Sequence, residues 1–149
     1  MPVTRSGRTR GPARPVTDLN SNVEDNHASV SSDGHEILFN SRRPGSILNP
    51  SGQPSFDIWL ATRGNVHDAW STPLNLGAPV NSQFAEFHPN VSYDGRTLLF
   101  IAPLPRGGLG GFDIWMTTRT RLDHDEDDDA HEDDHDDDRR GHGHRERHE

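Results

Sequence analysis

The chain has no cysteine, so it can form no disulfide and offers no thiolate ligand to a metal. It also has no lysine, and all 15 of its basic residues are arginines. No apolar run approaches the roughly 18 residues of a membrane-spanning helix. The first arginines are followed by glycine, proline and threonine instead of the apolar stretch of about 7 to 15 residues found in a signal peptide. Taken as complete, the chain is therefore predicted to be soluble and cytoplasmic, with no membrane span.

Charge is distributed unevenly along the 149 residues, whose net charge is -9. Residues 1–15 carry four arginines and no acid, whereas residues 123–149 carry 14 acids against four arginines. A segment this acidic repels itself and does not fold alone. The sequence thus predicts a basic disordered arm over residues 1–15, a globular part over residues 16–122, and an acidic, histidine-rich disordered tail over residues 123–149.

The globular part contains one pattern twice. The stretch "LNSNVEDNHASVSSDGHEILF" from Leu19 aligns without a gap with "VNSQFAEFHPNVSYDGRTLLF" from Val80, at an offset of 61. Farther along, "FDIWLATR" from Phe56 aligns with "FDIWMTTR" from Phe112, at an offset of 56. The two copies extend over about residues 19–77 and 80–119. Repeats of this length are typical of solenoids, propellers and arrays, in which each unit covers the apolar face of its neighbour.

Each copy has the pattern of antiparallel strands. The pairs Asp33-Gly34 and Asp94-Gly95 are tight-turn signals, because glycine adopts the positive φ that such turns need. The predicted strands are residues 88–92, 97–102 and 112–118 in the second copy, and residues 71–77 as a fourth strand of the first. No segment has sustained helical periodicity. The fold is therefore predicted to be all-β, with four antiparallel strands per unit, as in a β-propeller blade.

These motifs together resemble the WD-like β-propeller repeat family of the TolB type. The resemblance covers residues 19–119 and rests on the V-S-x-D-G-x-x-L-x-F hairpin, the F-D-I-W strand and the joining segment "WSTPLNLGAPVNS". It implies two antiparallel propeller blades that serve as a protein-interaction scaffold, usually beside other domains in exported bacterial proteins. If the chain is part of such a protein, the resemblance implies a periplasmic or exported location.

Two copies are fewer than the roughly four to eight blades that close a propeller. Two explanations stay open: several chains form one ring, or the chain is a fragment of a longer, partial propeller. In both cases an isolated chain exposes an apolar face and unpaired strand edges, which favour self-association or a protein partner. We expect the contact to involve strand edges or the loops over residues 42–54 and 104–111.

The repeated aspartates are interpreted as structural markers of the repeat. Asp33 and Asp94 precede glycine in turns, where aspartate hydrogen-bonds to nearby backbone. Asp57 and Asp113 stand in the two F-D-I-W strands and are expected to accept hydrogen bonds between the two units.

The repeated aromatic residues are also interpreted as structural. Trp59, Trp115 and Trp70 suit the packing of one sheet on another. His27 and His88 occupy equivalent positions, so equivalent packing explains them better than a metal shared between units.

Motifs of catalysis are missing from the sequence. It contains neither the G-x-S-x-G elbow of serine hydrolases nor the S-x-D-x-G-x-x-W box of sialidases. We therefore predict no catalytic residue and no cofactor, and a non-enzymatic interaction module. The alternative is the propeller part of a hydrolase, either a peptidase or a glycosidase, whose nucleophile lies elsewhere.

The two ends suggest weaker alternatives. His131 and His135 fit H-E-x-x-H, which binds zinc when a helix holds both imidazoles on one face. They stand in an acidic run with no apolar face to dock, so only loose divalent-metal binding is considered, together with the tail histidines His124, His142 and His144. The basic arm has no aromatic residue that could stack on bases, which argues against a nucleic-acid partner.

Overall fold

The computed structural model describes residues 10–120, so most of the basic arm and the whole acidic tail, with His131 and His135, lie outside the described residues. The described part folds as two antiparallel sheets, which confirms the all-β prediction. Its strands are β1 (Asp25–Val30), β2 (Glu36–Ser41), β3 (Asp57–Thr62), β4 (Leu74–Asn75), β5 (Phe87–Val91), β6 (Thr97–Pro103) and β7 (Phe112–Thr118). Between residues 10 and 120, no helix has the length and apolar character needed to cross a membrane.

Each sheet corresponds to one copy of the repeat. Sheet 1 has the order β1-β2-β3-β4 and sheet 2 has the order β5-β6-β7, with every neighbouring pair antiparallel. The strands predicted over residues 88–92, 97–102 and 112–118 agree with β5, β6 and β7 to within one residue at each end. The strand predicted over residues 71–77 is much shorter, because only Leu74–Asn75 pairs with β3. Pro73 has no N–H to donate to the sheet, and the Asn75 side chain turns the chain by accepting from the Gly77 N–H at 2.7 Å.

Successive side chains of β2 and β3 point to opposite faces of sheet 1, and apolar side chains lie on both faces. The pair Leu38 and Leu60 lies on the face toward sheet 2, whereas the pair Phe39 and Trp59 lies on the far face. The cluster between the sheets contains the buried residues Leu38, Ile58, Leu98 and Phe100, with Leu60, Leu76, Val80, Val91 and Trp115 half-buried around them. The cluster on the far face contains Leu19, Ile37, Phe39, Trp59 and Ala61, with Trp70 against its rim. Sheet 1 is therefore apolar on both sides, and sheet 2 covers one of them.

Polar contacts also join the two sheets. The Glu86 N–H donates to the Phe56 carbonyl at 2.8 Å, where β5 begins. Near the turns, the Arg119 guanidinium donates to both carboxylate oxygens of Glu36, at 2.9 and 2.5 Å. These bonds fix the relative position of the sheets around the apolar cluster.

Candidate functional site

The aspartates of the two turns accept local hydrogen bonds. Asp33 Oδ1 accepts from the Ser31 hydroxyl at 2.6 Å and from the His35 N–H at 3.0 Å, and Asp94 accepts the equivalent bond from Ser92 at 2.5 Å. The serine hydroxyl in each turn is the main cause that lowers the pKa of the aspartate. The following glycines have positive φ, 77° at Gly34 and 72° at Gly95. Both carboxylates are thus held ionised as turn acceptors, which makes them poor general acids.

The aspartates of the F-D-I-W strands anchor loops. Asp57 Oδ2 accepts from the Ile47 N–H at 2.7 Å and from the Asn75 amide at 2.6 Å. Asp113 Oδ2 accepts from the Leu109 N–H at 2.7 Å. The prediction that these aspartates bond between the two units is therefore wrong. Each loop returns to the sheet just before the aspartate, so N–H groups of the loop lie within hydrogen-bond distance of the carboxylate.

Asp57 is deeply buried for a carboxylate. Its side chain is buried, and its Oδ1 has no hydrogen-bond partner among the described residues. Burial raises the pKa of Asp57, and the two bonds to its Oδ2 do not offset that effect. Asp57 has no exposed surface within residues 10–120, and its bond to Ile47 holds the loop between β2 and β3.

The two repeated tryptophans lie in packing positions. Trp59 is buried on the far face of sheet 1, and its Nε1 donates to the Ser41 carbonyl at 3.3 Å. Trp115 packs into the cluster between the sheets, and its Nε1 is buried without a hydrogen-bond partner among the described residues. Neither indole offers the open ring face that a sugar would stack on.

Sequence reasoning missed an ion pair that each copy contains, partly buried in the first and more deeply buried in the second. In the first copy, Asp25 accepts from the Arg43 guanidinium at 2.5 Å and from the Ser21 N–H at 2.6 Å. The guanidinium carbon of Arg43 lies 4.8 Å from the centre of the Phe39 ring and 5.4 Å from that of Trp59. The arginine thus covers the aromatic pair and neutralises the carboxylate.

The second copy repeats the arrangement more deeply. Glu86 is fully buried and accepts from the Arg106 guanidinium and from the Ser82 hydroxyl, each at 2.5 Å. Arg106 lies 5.1 Å from the centre of the Phe100 ring and 4.9 Å from that of Trp115. Equivalent residues therefore form the same acid–arginine–aromatic cluster in both sheets.

The arginines escaped detection because the loops that carry them differ in length. Arg43 and Arg106 are offset by 63, whereas the strands on either side are offset by 61 and 56. Burial raises the pKa of Asp25, but the hydrogen bonds from Ser21 and Arg43 outweigh burial, and the net shift is downward. At the more deeply buried Glu86, burial dominates and raises the pKa. A search for an arginine in the loop after the second strand of each copy would have found Arg43 and Arg106.

The equivalent histidines pack against each other. The ring centres of His27 and His88 are 3.6 Å apart, and both residues have positive φ, 52° and 53°, at bulges in β1 and β5. Their common neighbour Asn40 is buried; its Oδ1 lies 3.2 Å from His27 Nδ1 and accepts from the His88 N–H at 3.3 Å. Within residues 10–120, no group of three or more potential metal ligands comes together.

An open cleft of about 950 Å³ lies between the two hairpin turns. Two arginines on its wall are already engaged. Arg119 pairs with Glu36 at 2.5 Å, and Arg63 donates to the Gly34 carbonyl at 2.8 Å while lying 4.1 Å over the Trp70 ring. These two cations and the turn aspartates are therefore used by the protein itself, and Arg96 is the third arginine on the wall.

Among residues 10–120, one side of sheet 2 presents apolar side chains that are left largely exposed. We call it the outer face: the side chains of Leu99, Ile101, Phe112, Ile114 and Met116, which point away from sheet 1. Cross-strand pairing places Leu99 beside Met116 and Ile101 beside Ile114, so the apolar side chains form a continuous patch. Ile114 is 77% exposed and Met116 is 66% exposed. Large exposed apolar patches are often sites where proteins bind other molecules, so the outer face is the candidate site.

Comparisons with known proteins give no further guide: no family model, no curated protein and no solved structure matches the chain. The candidate site therefore rests on the geometry of residues 10–120. Within them, the outer face has four exposed apolar side chains and the half-buried Ile101, more than any other surface of a sheet.

Proposed function

We propose that the chain is a non-enzymatic protein-interaction module of the TolB-like β-propeller type. In this proposal its two sheets are blades, and the outer face binds a protein. The chain would act by holding partners together and would carry out no reaction.

The exposure of Ile114 carries this proposal. Ile58 and Ile114 occupy the same position in the two F-D-I-W strands, yet Ile58 has no exposed surface and Ile114 is 77% exposed. Burial of apolar surface stabilises a protein by about 25 cal/mol per Å², and this stabilisation is absent where the surface stays in water. An antiparallel sheet with one face in water normally alternates apolar and polar side chains. Three of the four outward side chains of β7, Phe112, Ile114 and Met116, are apolar instead, which favours a bound protein.

The polar residues support a binding role over catalysis. Asp33 and Asp94 are occupied by their turns, and Asp57 and Asp113 are occupied by their loops. Each is explained by the fold, so none is left over as a candidate acid, base or nucleophile.

Site-specific photo-cross-linking in intact cells would test the proposal. A photoreactive phenylalanine analogue at position 114 should give discrete adducts with protein. The control is the same analogue at Tyr93, which is 89% exposed but lies on a turn away from the outer face. No adduct at position 114, or the same adducts at both positions, would refute a protein-binding role for the outer face.

A further inference from the structure

Within residues 10–120, sheet 1 has a fourth strand and sheet 2 has none. In sheet 1, β4 pairs with β3 along the edge opposite β2. In sheet 2, the corresponding edge of β7 is the end of the sheet. The registers of the two sheets agree, since Ile58 lies opposite Asn40 and the equivalent Ile114 lies opposite Ile101. The same strand edge is therefore present in both copies, and the described residues cover only the first.

The covered edge of β3 shows what such an edge binds. The Leu76 N–H donates to the Ile58 carbonyl at 3.1 Å, and Leu74 pairs with Leu60. Hydrogen bonds of an antiparallel pair recur at every second residue, so Ile58 and Leu60 direct their backbone groups toward this segment. The Asn81 amide also binds here, because its Oδ1 accepts from the Ile58 N–H at 2.7 Å and its Nδ2 donates to the Ile58 carbonyl at 2.9 Å. Both backbone groups of Ile58 are thus bonded within the chain.

The equivalent edge of β7 has no such cover among the described residues. Ile114 and Met116 correspond at offset 56 to Ile58 and Leu60, so their backbone N–H and C=O groups point away from β6. We call this side of β7, with the backbone groups of Ile114 and Met116, the free edge. A row of unpaired N–H and C=O groups is a template for a further strand.

The segment that covers β3 also indicates which side chains suit the free edge. Leu74 and Leu76 lie on the face of sheet 1 toward sheet 2, and Leu76 packs into the cluster there. Asn75 lies on the other face, where its amide donates to Asp57 Oδ2 at 2.6 Å. Asp113 is the equivalent of Asp57 and is only half-buried, and a carboxylate oxygen accepts more than one hydrogen bond. A strand with the order Leu-Asn-Leu therefore suits β7 as it suits β3.

The sequence that follows β7 lacks these side chains. Residues 70–77 read "WSTPLNLG", whereas residues 126–133, at offset 56, read "EDDDAHED". Ala130 and Glu132 stand at the positions of the two leucines. A segment this acidic has little apolar surface to bury beside the outer face, so we expect the strand to come from another polypeptide.

We propose that the free edge binds an extended segment of a partner protein, which adds to sheet 2 as an antiparallel fourth strand. The segment has two apolar residues separated by one asparagine, as in β4. This inference rests on the proposed function, because the two apolar side chains extend the outer face beside Ile114 and Met116. In this mode of recognition, main-chain hydrogen bonds give affinity and alternate side chains give specificity.

A synthetic peptide tests the free edge. The probe has the sequence "WSTPLNLGAPVNS" of residues 70–82 and is added to the full, isotope-labelled chain. The backbone amide signals of Ile114 and Met116 should shift saturably in NMR spectra. No saturable shift with peptide up to about 1 mM would overturn the proposal.

Two N-methylated peptides distinguish strand addition from apolar contact alone. The N–H of Leu76 faces β3 in the chain, so the N–H of its neighbour Asn75 faces away. A methyl group on the backbone nitrogen of the Leu76 position should weaken binding at least about tenfold, because it removes a donor and blocks close approach. The same group at the Asn75 position is the matched control and should leave binding near that of the unmodified peptide. Equal affinities of the two methylated peptides would overturn the proposal.

A substitution in β7 shows where the peptide binds. Met116→Pro removes an N–H from the free edge and none from the pairing with β6, so the edge strand should tolerate it. The variant should lose peptide binding, with circular dichroism confirming that the sheets are retained. Binding that persists in the folded variant would place the peptide elsewhere and overturn the proposal.

Two further measurements separate this inference from the proposed function. Light scattering should show a monomer without peptide; a dimer that the peptide does not dissociate would show that a second copy takes the free edge, which would overturn the inference. Photo-cross-linked adducts at position 114 together with peptide binding support both proposals. Adducts without peptide binding would overturn the inference and leave the interaction function standing, whereas the absence of both would overturn both.

Discussion

Replacement of Arg106 by methionine should destabilise the protein far more than replacement of Arg42, although each arginine pairs with a glutamate. The side chains of Arg106 and Glu86 are 12% and 0% exposed, with their charged atoms 2.5 Å apart. Those of Arg42 and Glu24 are 51% and 58% exposed, with the atoms 2.8 Å apart. The two substitutions thus remove the same kind of charge from opposite environments.

The expected magnitudes follow from solvation. Removing Arg106 leaves the carboxylate of Glu86 buried without its cation, which typically costs about 3–5 kcal/mol. It also removes the hydrogen bonds that Arg106 donates to the carbonyls of Pro79 and Val80, at 2.6 and 2.5 Å. An exposed pair contributes about 0–1 kcal/mol, so Arg42→Met should be close to wild type.

Urea unfolding followed by tryptophan fluorescence would measure both variants. With a slope of about 1–3 kcal/mol per M for a domain of this size, Arg106→Met should lower the midpoint by at least about 1 M. The double variant with Glu86→Gln should recover part of the loss, because the unpaired charge is gone. A midpoint for Arg106→Met as close to wild type as that of Arg42→Met would refute the reasoning.

The loss of stability caused by Arg106→Met should also depend on pH. Burial raises the pKa of Glu86 in the folded protein, and removing Arg106 raises it further. The folded state then takes up a proton before the unfolded state does, so lowering the pH stabilises the variant relative to neutral pH. The penalty of Arg106→Met should therefore shrink between about pH 7 and pH 4.5, toward the ordinary pKa of glutamate. A penalty that is constant over this range would contradict the assignment of a buried carboxylate.

Two further predictions use other buried and exposed positions. Ile58→Ala should lower the free energy of unfolding by about 2–5 kcal/mol, because it leaves a cavity in the core. Ile114→Ala in dilute solution should change the free energy of unfolding by less than about 1 kcal/mol. Equal losses of stability in urea unfolding would show that the two positions are equally buried. Burial raises the pKa of Asp57, so wild type should gain stability relative to Asp57→Asn as the pH falls from about 7 toward 4. A difference between the two urea midpoints that stays constant with pH would contradict the raised pKa of Asp57.

Much of the fold could be predicted from the sequence because its signals are local. The turn pairs at Gly34 and Gly95 predicted two hairpins, and the strands predicted for the second agree with β5 and β6 to within one residue at each end. The partners of Asp57 could not be predicted in this way, since they depend on where a loop returns to the sheet. Nor could the sequence indicate that Ile58 would be covered and Ile114 left open, because both stand in the same motif.

The differences between the two copies indicate whether the outer face is exposed to solvent when the protein functions. If that face were solvated, the positions that diverge from sheet 1 should have become more polar. Instead, Asn40 is replaced by Ile101 and Leu60 by Met116, and at the rim the charge of Glu36 is replaced by Thr97. On β6 and β7 none of these replacements introduces a polar side chain where sheet 1 has an apolar one, although both strands would tolerate polar side chains pointing into solvent; the change to a more polar residue, Ser29 to Asn90, lies on the edge strand β5. The sequence of the second copy therefore fits a face that is covered when the protein functions, as the equivalent face of sheet 1 is covered within the chain.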